Sequence, residues 1–166
     1  MLFRSDYDVT VVTQNVDNLH ERAGSTNIIH LHGELTKVRP EDTYTDMDYW
    51  SERYVMDIGY KAINLGDKGG PHNTQLRPHI VWFGEQVPNL QTAAEAVSKA
   101  DILLIVGTSM QVYPAAGLYQ YAPSSCQIYM IDPDPAAAAH VSGVVHIKDV
   151  ATSGMRQFCS LVSSKV

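Results

Sequence analysis

Residues with chemical capability are gathered in short clusters, each directly after an apolar run. The first is TQNVDNLHERAG at 13–24, following Val9-Thr10-Val11-Val12. Gln14, Asn15 and Asp17 thus bring two amides and an acid to the end of a buried strand. In open α/β sheets, ligands bind in the crevice at the carboxyl ends of the strands. The second cluster is His30-Leu31-His32-Gly33. On a strand both histidines leave one face. That arrangement suits a two-histidine metal site, packing or proton transfer, but no acid or thiol joins them at an obvious ligand spacing. His32 at a strand end can act as a general base, because an unperturbed imidazole has a pKa of about 6.5. The competing role is a histidine capping a loop. Gly33 allows a sharp turn or the close approach of a ligand.

Three more clusters follow the same plan. Gly107-Thr108-Ser109 succeeds the apolar run Ile102–Val106. A glycine with two hydroxyls suits a phosphate or ribose hydroxyl at the next helix N-terminus, and equally suits plain capping. Asp132 ends another strand, where it could bond a ribose hydroxyl or make a turn before Pro133. His79-Ile-Val-Trp-Phe-Gly-Glu85 carries two aromatics into a Gly-Glu pair. It reads either as a strand edge able to pair with an extended peptide or as a core strand with Trp82 buried. The sequence has no G-x-G-x-x-G phosphate-binding fingerprint.

Strands are expected at 9–13, 28–31, 80–83, 102–106, 128–131 and 144–147, where apolar and β-branched residues concentrate. Helices are expected at 90–99 after Asn89, at 114–121, from an Asp134 N-cap with Pro135 at the first position, and at 152–162. Strands alternating with helices imply crossover connections and a parallel sheet. The runs at 102–106 and 128–131 are apolar throughout, as when helices cover both faces. The expected fold is therefore α/β, a doubly wound Rossmann-like sheet built from 1–33 and 77–166. A small insert at 34–76 interrupts it. Met47, Trp50, Tyr54, Ile58, Ala62 and Leu65 recur every three or four positions, which predicts a helix over 46–64 and a small helical insert.

Composition narrows the function classes. The 166 residues are 45% apolar, enough for one core of ordinary size. Net charge is -6 with the acids dispersed, so nucleic acid is not an expected partner. No apolar run approaches the roughly 20 residues of a membrane span, and no signal peptide is evident, so no membrane partner and a cytoplasmic location are expected. Cys126 and Cys159 are widely spaced, so a disulfide between them has no support in the sequence, and cytosolic residence is the simpler reading.

Taken together and in order, five segments resemble the sirtuin (SIR2-type) family of NAD-dependent protein-lysine deacylases. They are TQNVDNLHERAG at 13–24, HLHGEL at 30–35, RPHIVWFGE at 77–85, GTSMQVYPAAGL at 107–118 and YMIDPDP at 129–135. The resemblance implies NAD as cofactor and an acyl-lysine protein or peptide as partner. It makes His32 the catalytic base, with Asn15 and Asp17 beside it. Gln14 and Asn15 would contact the ribose and nicotinamide, and Asp17 would shape the nicotinamide pocket. Gly107, Thr108 and Ser109 would line the ribose-phosphate path, Asp132 would reach the adenosine ribose, and Val150 would lie near the adenine. Val81, Phe83, Gly84 and Glu85 would clamp the acyl-lysine chain, and His20 would be structural.

Two departures from the family pattern stand out. Most sirtuins bind a structural zinc through two C-x-x-C pairs in the insert, but residues 34–78 contain no cysteine, so no zinc is expected. The family's Gly-Ala-Gly phosphate cradle has no counterpart either, a difference on the order of 70 residues. That leaves a fragment, a chain completed by a complementing N-terminal chain, or a protein that has lost activity. An exposed sheet edge would also tend to recruit a partner, a homo-oligomer being one form. The alternatives to a deacetylase or desuccinylase are a non-catalytic sirtuin-fold scaffold and an NAD hydrolase.

Overall fold

A computed structural model describes residues 7–41 and 52–163 of the chain. It divides into two compact units, Thr10–Asn89 and Leu90–Val166 together with Met1–Val9.

In the Leu90–Val166 unit the alternation of strand and helix is the expected one. Helix α2 (Leu90–Val97), strand β7 (Ile102–Val106), a 3-10 helix (Ala115–Tyr121), β8 (Gln127–Ile131), α3 (Pro135–Ala138), β9 (Val145–Ile147) and α4 (Ala151–Ser163) follow in turn. The three strands form one parallel sheet in the order β7-β8-β9. Strand side chains alternate between faces, and β8 shows why residues 128–131 are apolar on both. Met130 packs with Met110, Ala116, Ala137 and Val141, whereas Tyr129 and Ile131 pack with Ile147, Phe158 and Val162. Phe158 stands edge-on to Tyr129 at 5.1 Å between ring centres. The spacing of Met155, Phe158, Cys159 and Val162 thus becomes the buried stripe of α4. Asp134 caps α3 as expected, its Oδ1 accepting from the Ala136 N–H at 2.9 Å with Pro135 at the helix start.

The Thr10–Asn89 unit opens with β1 (Val11–Thr13), α1 (Leu19–Arg22) and β2 (Ile28–His30), with β1 and β2 parallel. Strands β3 (Gly33–Pro40), β4 (Met56–Asp57), β5 (Lys68–Gly69) and β6 (Thr74–Ile80) then form an antiparallel sheet in the order β4-β3-β6-β5. Two expectations are corrected here. The first is the helix over 46–64. Its residues 46–51 lie outside the described residues, and the remainder holds one 3-10 turn (Glu52–Tyr54) followed by β4. Met56 pairs with Val38 on the edge of β3, and Asp57 Oδ1 accepts from the Gly59 N–H at 2.8 Å, an Asx turn that ends regular structure. Pairing with an available strand edge overrides the helical spacing, so the described insert is a β-ribbon rather than a helix.

The second correction concerns the strand expected at 80–83. The strand runs instead from Thr74 to Ile80 and ends where the expected one begins. Its polar residues and Pro78 conceal it in the sequence, since proline normally argues against a strand. Pro78 is tolerated because it lies beside a register shift between Glu34 and Val38 on β3, where the ladder is already interrupted.

Truncating Phe158→Ala should cost about 3–5 kcal/mol, because a cavity opens under both β8 and β9. Chemical denaturation would register this as a lower midpoint with an unchanged slope.

Candidate functional site

The Thr10–Asn89 unit concentrates the first cluster around two histidine rings. β2 ends at His30, and His32 lies in the turn between β2 and β3. Both rings bond to consecutive carbonyls of the loop after β1. His32 Nδ1 is 2.9 Å from the Gln14 oxygen, and His30 Nδ1 is 3.4 Å from the Asn15 oxygen. A carbonyl oxygen only accepts, so Nδ1 of His32 carries the proton and Nε2 of the neutral ring keeps its lone pair. That is the tautomer a general base needs. His32 is half-buried, whereas His30 is buried and its Nε2 meets Glu21 Oε1 at 2.7 Å. Donor atoms of Glu21, His30 and Glu34 lie within 4.8 Å of one another. Glu34 is also ion-paired with Lys37, so this trio reads as a charge network beside the strand.

The loop is shaped by its own side chains. The buried Thr13 hydroxyl accepts from the Asn15 N–H at 3.1 Å, and Asp17 Oδ1 accepts from the Leu19 N–H at 3.0 Å to start α1. Asn15 is exposed, and Gln14 and Asp17 are half-buried. Asn89, expected as a helix cap, donates its side-chain amide to the His30 carbonyl at 2.8 Å.

Gly33 explains how His32 is held. Its φ is +78°, and a Cβ there would lie 2.1 Å from the His79 carbonyl oxygen. The close approach anticipated at this glycine is therefore made by the chain's own β6 backbone. Next to it, the His32 carbonyl accepts from the Val81 N–H at 2.9 Å. Beyond Val81, Trp82, Phe83 and Gly84 are exposed, Phe83 fully so, and Trp82 is not the buried core residue of one reading. Glu85 turns inward and closes this segment. Its Oε1 accepts from Arg77 Nη1 at 2.7 Å, its Oε2 accepts from the Trp82 N–H at 3.0 Å, and Arg39 Nη2 stands 3.6 Å away.

Near these guanidinium groups, burial first, then the charges of Arg39 and Lys37, lower the His79 pKa from 6.5 to about 4. Glu34 opposes the shift without cancelling it.

In the Leu90–Val166 unit, Gly107, Ser109 and Asp132 line a cavity of about 230 Å³ together with Gln111, Pro133, Asp134, Ala136 and Ala137. Gly107 has a φ of +62°, and this left-handed turn carries the chain off the end of β7. The next helix begins only at Ala115 and is 3-10, so the triplet does not sit on a helix N-terminus as expected. Thr108 instead uses its hydroxyl on the Met110 N–H at 3.3 Å. Asp132 is well anchored. Its Oδ1 accepts from the Asp134 N–H, and its carbonyl accepts from the His146 ring, both at 2.8 Å. Thr108 and Val150 are not among the cavity-lining residues; Val150 is exposed where α4 begins.

Sequence reasoning missed the roles of Arg39, which is buried in a strand and carries no motif, and of the half-buried Arg77, which opens RPHIVWFGE without revealing its partner. It also took Asp134 only as a helix cap, although the same residue lines the cavity. The signal was the carboxylate pair in Asp132-Pro133-Asp134.

Parallel strands under helices, with polar clusters at the strand ends, define a Rossmann-like α/β protein. The Sir2 family profile matches residues 1–114, and the chain belongs to the Sir2 family. An NAD-dependent protein deacylase of Bacteroides thetaiotaomicron is 48% identical over 160 residues, covering 95% of this chain and 65% of that protein. The crystal structure of a Sir2 homolog–NAD complex matches with a TM-score of 0.78 at 33% identity, over 99% of this chain and 62% of the other. A structure of Sir2 with a p53 peptide and NAD+ matches with a TM-score of 0.69 at 25% identity, over 93% and 64%. The chain thus spans 65% of the length of that curated relative. Among the described residues, no helix is long and apolar enough to cross a membrane.

The depressed His79 pKa has a directional consequence. As pH falls, the unfolded chain takes up this proton near 6.5 while the folded chain resists until about 4. Stability linked to His79 is therefore full above 6.5 and is lost between 6.5 and about 4, by up to roughly 3 kcal/mol. Denaturant unfolding at a series of pH values should show this loss, and His79→Gln should reduce it.

Proposed function

We propose that this chain carries the chemistry of an NAD-dependent protein-lysine deacylase. The observation that carries the reading is the bond from His32 Nδ1 to the Gln14 carbonyl, 2.9 Å, which frees Nε2 to act as a base. Support comes from the deacylase relative and from the family members solved with NAD and with a peptide.

The acyl oxygen of the modified lysine attacks C1′ of the nicotinamide ribose, and nicotinamide leaves. His32 Nε2 then takes a proton from a ribose hydroxyl, which attacks the resulting imidate carbon. Addition of one water releases the free lysine amine and leaves the acyl group on ADP-ribose. Gln14 and Asn15 hold the ribose and nicotinamide side, and Asp17 shapes the nicotinamide pocket. Val81, Phe83, Gly84 and Glu85 form the acyl-lysine segment. The carboxylate of Asp132, with Gly107 and Ser109, takes the adenosine ribose, because vicinal hydroxyls donate well to a fixed carboxylate. Thr108 shapes that turn from behind, and Val150 lies on the adenine side. Cytoplasmic residence, where NAD and protein lysines are both available, belongs to the same proposal.

Mass spectrometry of the protein with NAD and acetyl- or succinyl-lysine peptides tests the reading. Nicotinamide with O-acyl-ADP-ribose supports it and identifies the acyl preference. Free ADP-ribose alone would replace it with an NAD hydrolase, and no product would favour a scaffold. His32→Ala should reduce turnover by at least about 100-fold, the usual contribution of a general base, with an unchanged circular dichroism spectrum. Asp132→Ala should weaken NAD binding about tenfold in calorimetry while slowing the chemical step less, as expected for a hydrogen bond to a charged group.

A further inference from the structure

Glu85 belongs to the segment assigned to the acyl-lysine chain, yet its side chain points away from solvent, with 11% exposure. The reason lies one strand away. Arg39 on β3 and Arg77 on β6 are direct cross-strand partners in the antiparallel sheet. Like charges placed opposite one another destabilise a sheet, and Arg39 is only 2% exposed, so water screens it poorly. One carboxylate serves both arginines. Glu85 meets Arg77 through two contacts, at 2.7 Å and 3.4 Å, and lies 3.6 Å from Arg39.

The same carboxylate acts on the backbone of the segment. Glu85 Oε2 accepts from the Trp82 N–H at 3.0 Å, while the Glu85 N–H donates to the Trp82 carbonyl, also at 3.0 Å. Arg77 Nη2 adds a bond to the Ile80 carbonyl at 3.3 Å. The turn from Trp82 to Glu85 is therefore closed twice and tied to the end of β6. Upstream, Val81 N–H is fixed on the His32 carbonyl. Segment 81–84 is held at both ends, while Trp82 and Phe83 face outward.

We propose that Glu85, anchored by Arg77 and Arg39, is a positioning residue that presents segment 81–84 to the acyl-lysine chain without touching it. This rests on the assignment of that segment to the substrate. An extended peptide pairing with a strand edge needs its backbone partners in place beforehand, since ordering a loose segment on binding costs affinity.

Two readouts on the same proteins test the proposal. The first is amide hydrogen exchange in wild type and Glu85→Gln, which keeps the shape and removes the charge. Exchange over 81–85 should rise about tenfold, as expected for loss of a charge-assisted hydrogen bond. Exchange in β7, β8 and β9 should be unchanged. The second is binding of a fluorescent acetyl-lysine peptide, which should weaken by about tenfold in the variant. Arg77→Lys keeps the charge but loses the two-pronged contact, and it should shift both readouts the same way by a smaller factor. It also provides the test if Glu85→Gln does not fold. Unchanged exchange over 81–85, or a rise spread evenly through the chain, would overturn the positioning role. So would loosened exchange with unaltered peptide binding. If wild type binds no peptide, the substrate assignment fails, and with it the presentation of this segment to acyl-lysine. The exchange result then still reports separately whether Glu85 holds the turn.

Discussion

The backbone crossing at Gly33 is the constraint on which the Thr10–Asn89 unit depends. Any side chain there would run into the His79 carbonyl, so β3 and β6 meet more closely than ordinary residues allow. Because they meet there, the His32 carbonyl reaches the Val81 N–H, and the proposed base and the proposed substrate segment share one hydrogen bond. The His32 ring in turn leans on the Gln14 carbonyl, which links the loop after β1 to the same point. A displacement at this crossing would move all three together.

Electrostatics are handled differently in the two units. In Thr10–Asn89, buried positive charge is the problem to be solved. Two facing arginines share Glu85, and the neighbouring His79 remains neutral at ordinary pH because burial and these charges oppose its protonation. In Leu90–Val166, the cavity at the strand ends is lined by two carboxylates and no basic side chain. Such a lining favours hydroxyl donors over phosphate, since an anion there would meet like charge. This agrees with a ribose as the proposed occupant.

The Leu90–Val166 unit is a support whose precision comes from packing. Successive residues of β8 enter two separate apolar clusters, so the strand cannot slip by one residue without turning both inside out. Asp132 follows directly after β8, and its carboxylate and carbonyl are each bonded. The register of the strand therefore sets the position of the acid in the cavity.

By itself the sequence determined whatever depends on local pattern. Apolar runs of five and four residues gave β7 and β8 nearly to the residue, the Asp134-Pro135 pair gave the start of α3, and the three- and four-residue spacing gave α4. It also placed the polar clusters at strand ends, because a buried strand that breaks into amides and acids is unusual for any chain. Tertiary structure alone decided the rest. The apolar spacing in the insert looked helical, but a free edge of β3 offered Met56 a strand partner, and non-local pairing prevailed over local propensity. The anchoring of Glu85 was equally out of reach, since Arg39 and Glu85 are far apart in sequence and come together only when β3 folds back on β6. Short-range order is written in neighbouring residues. Charge pairing and close backbone approach are relations between distant ones, which acquire meaning only once the strands are in register.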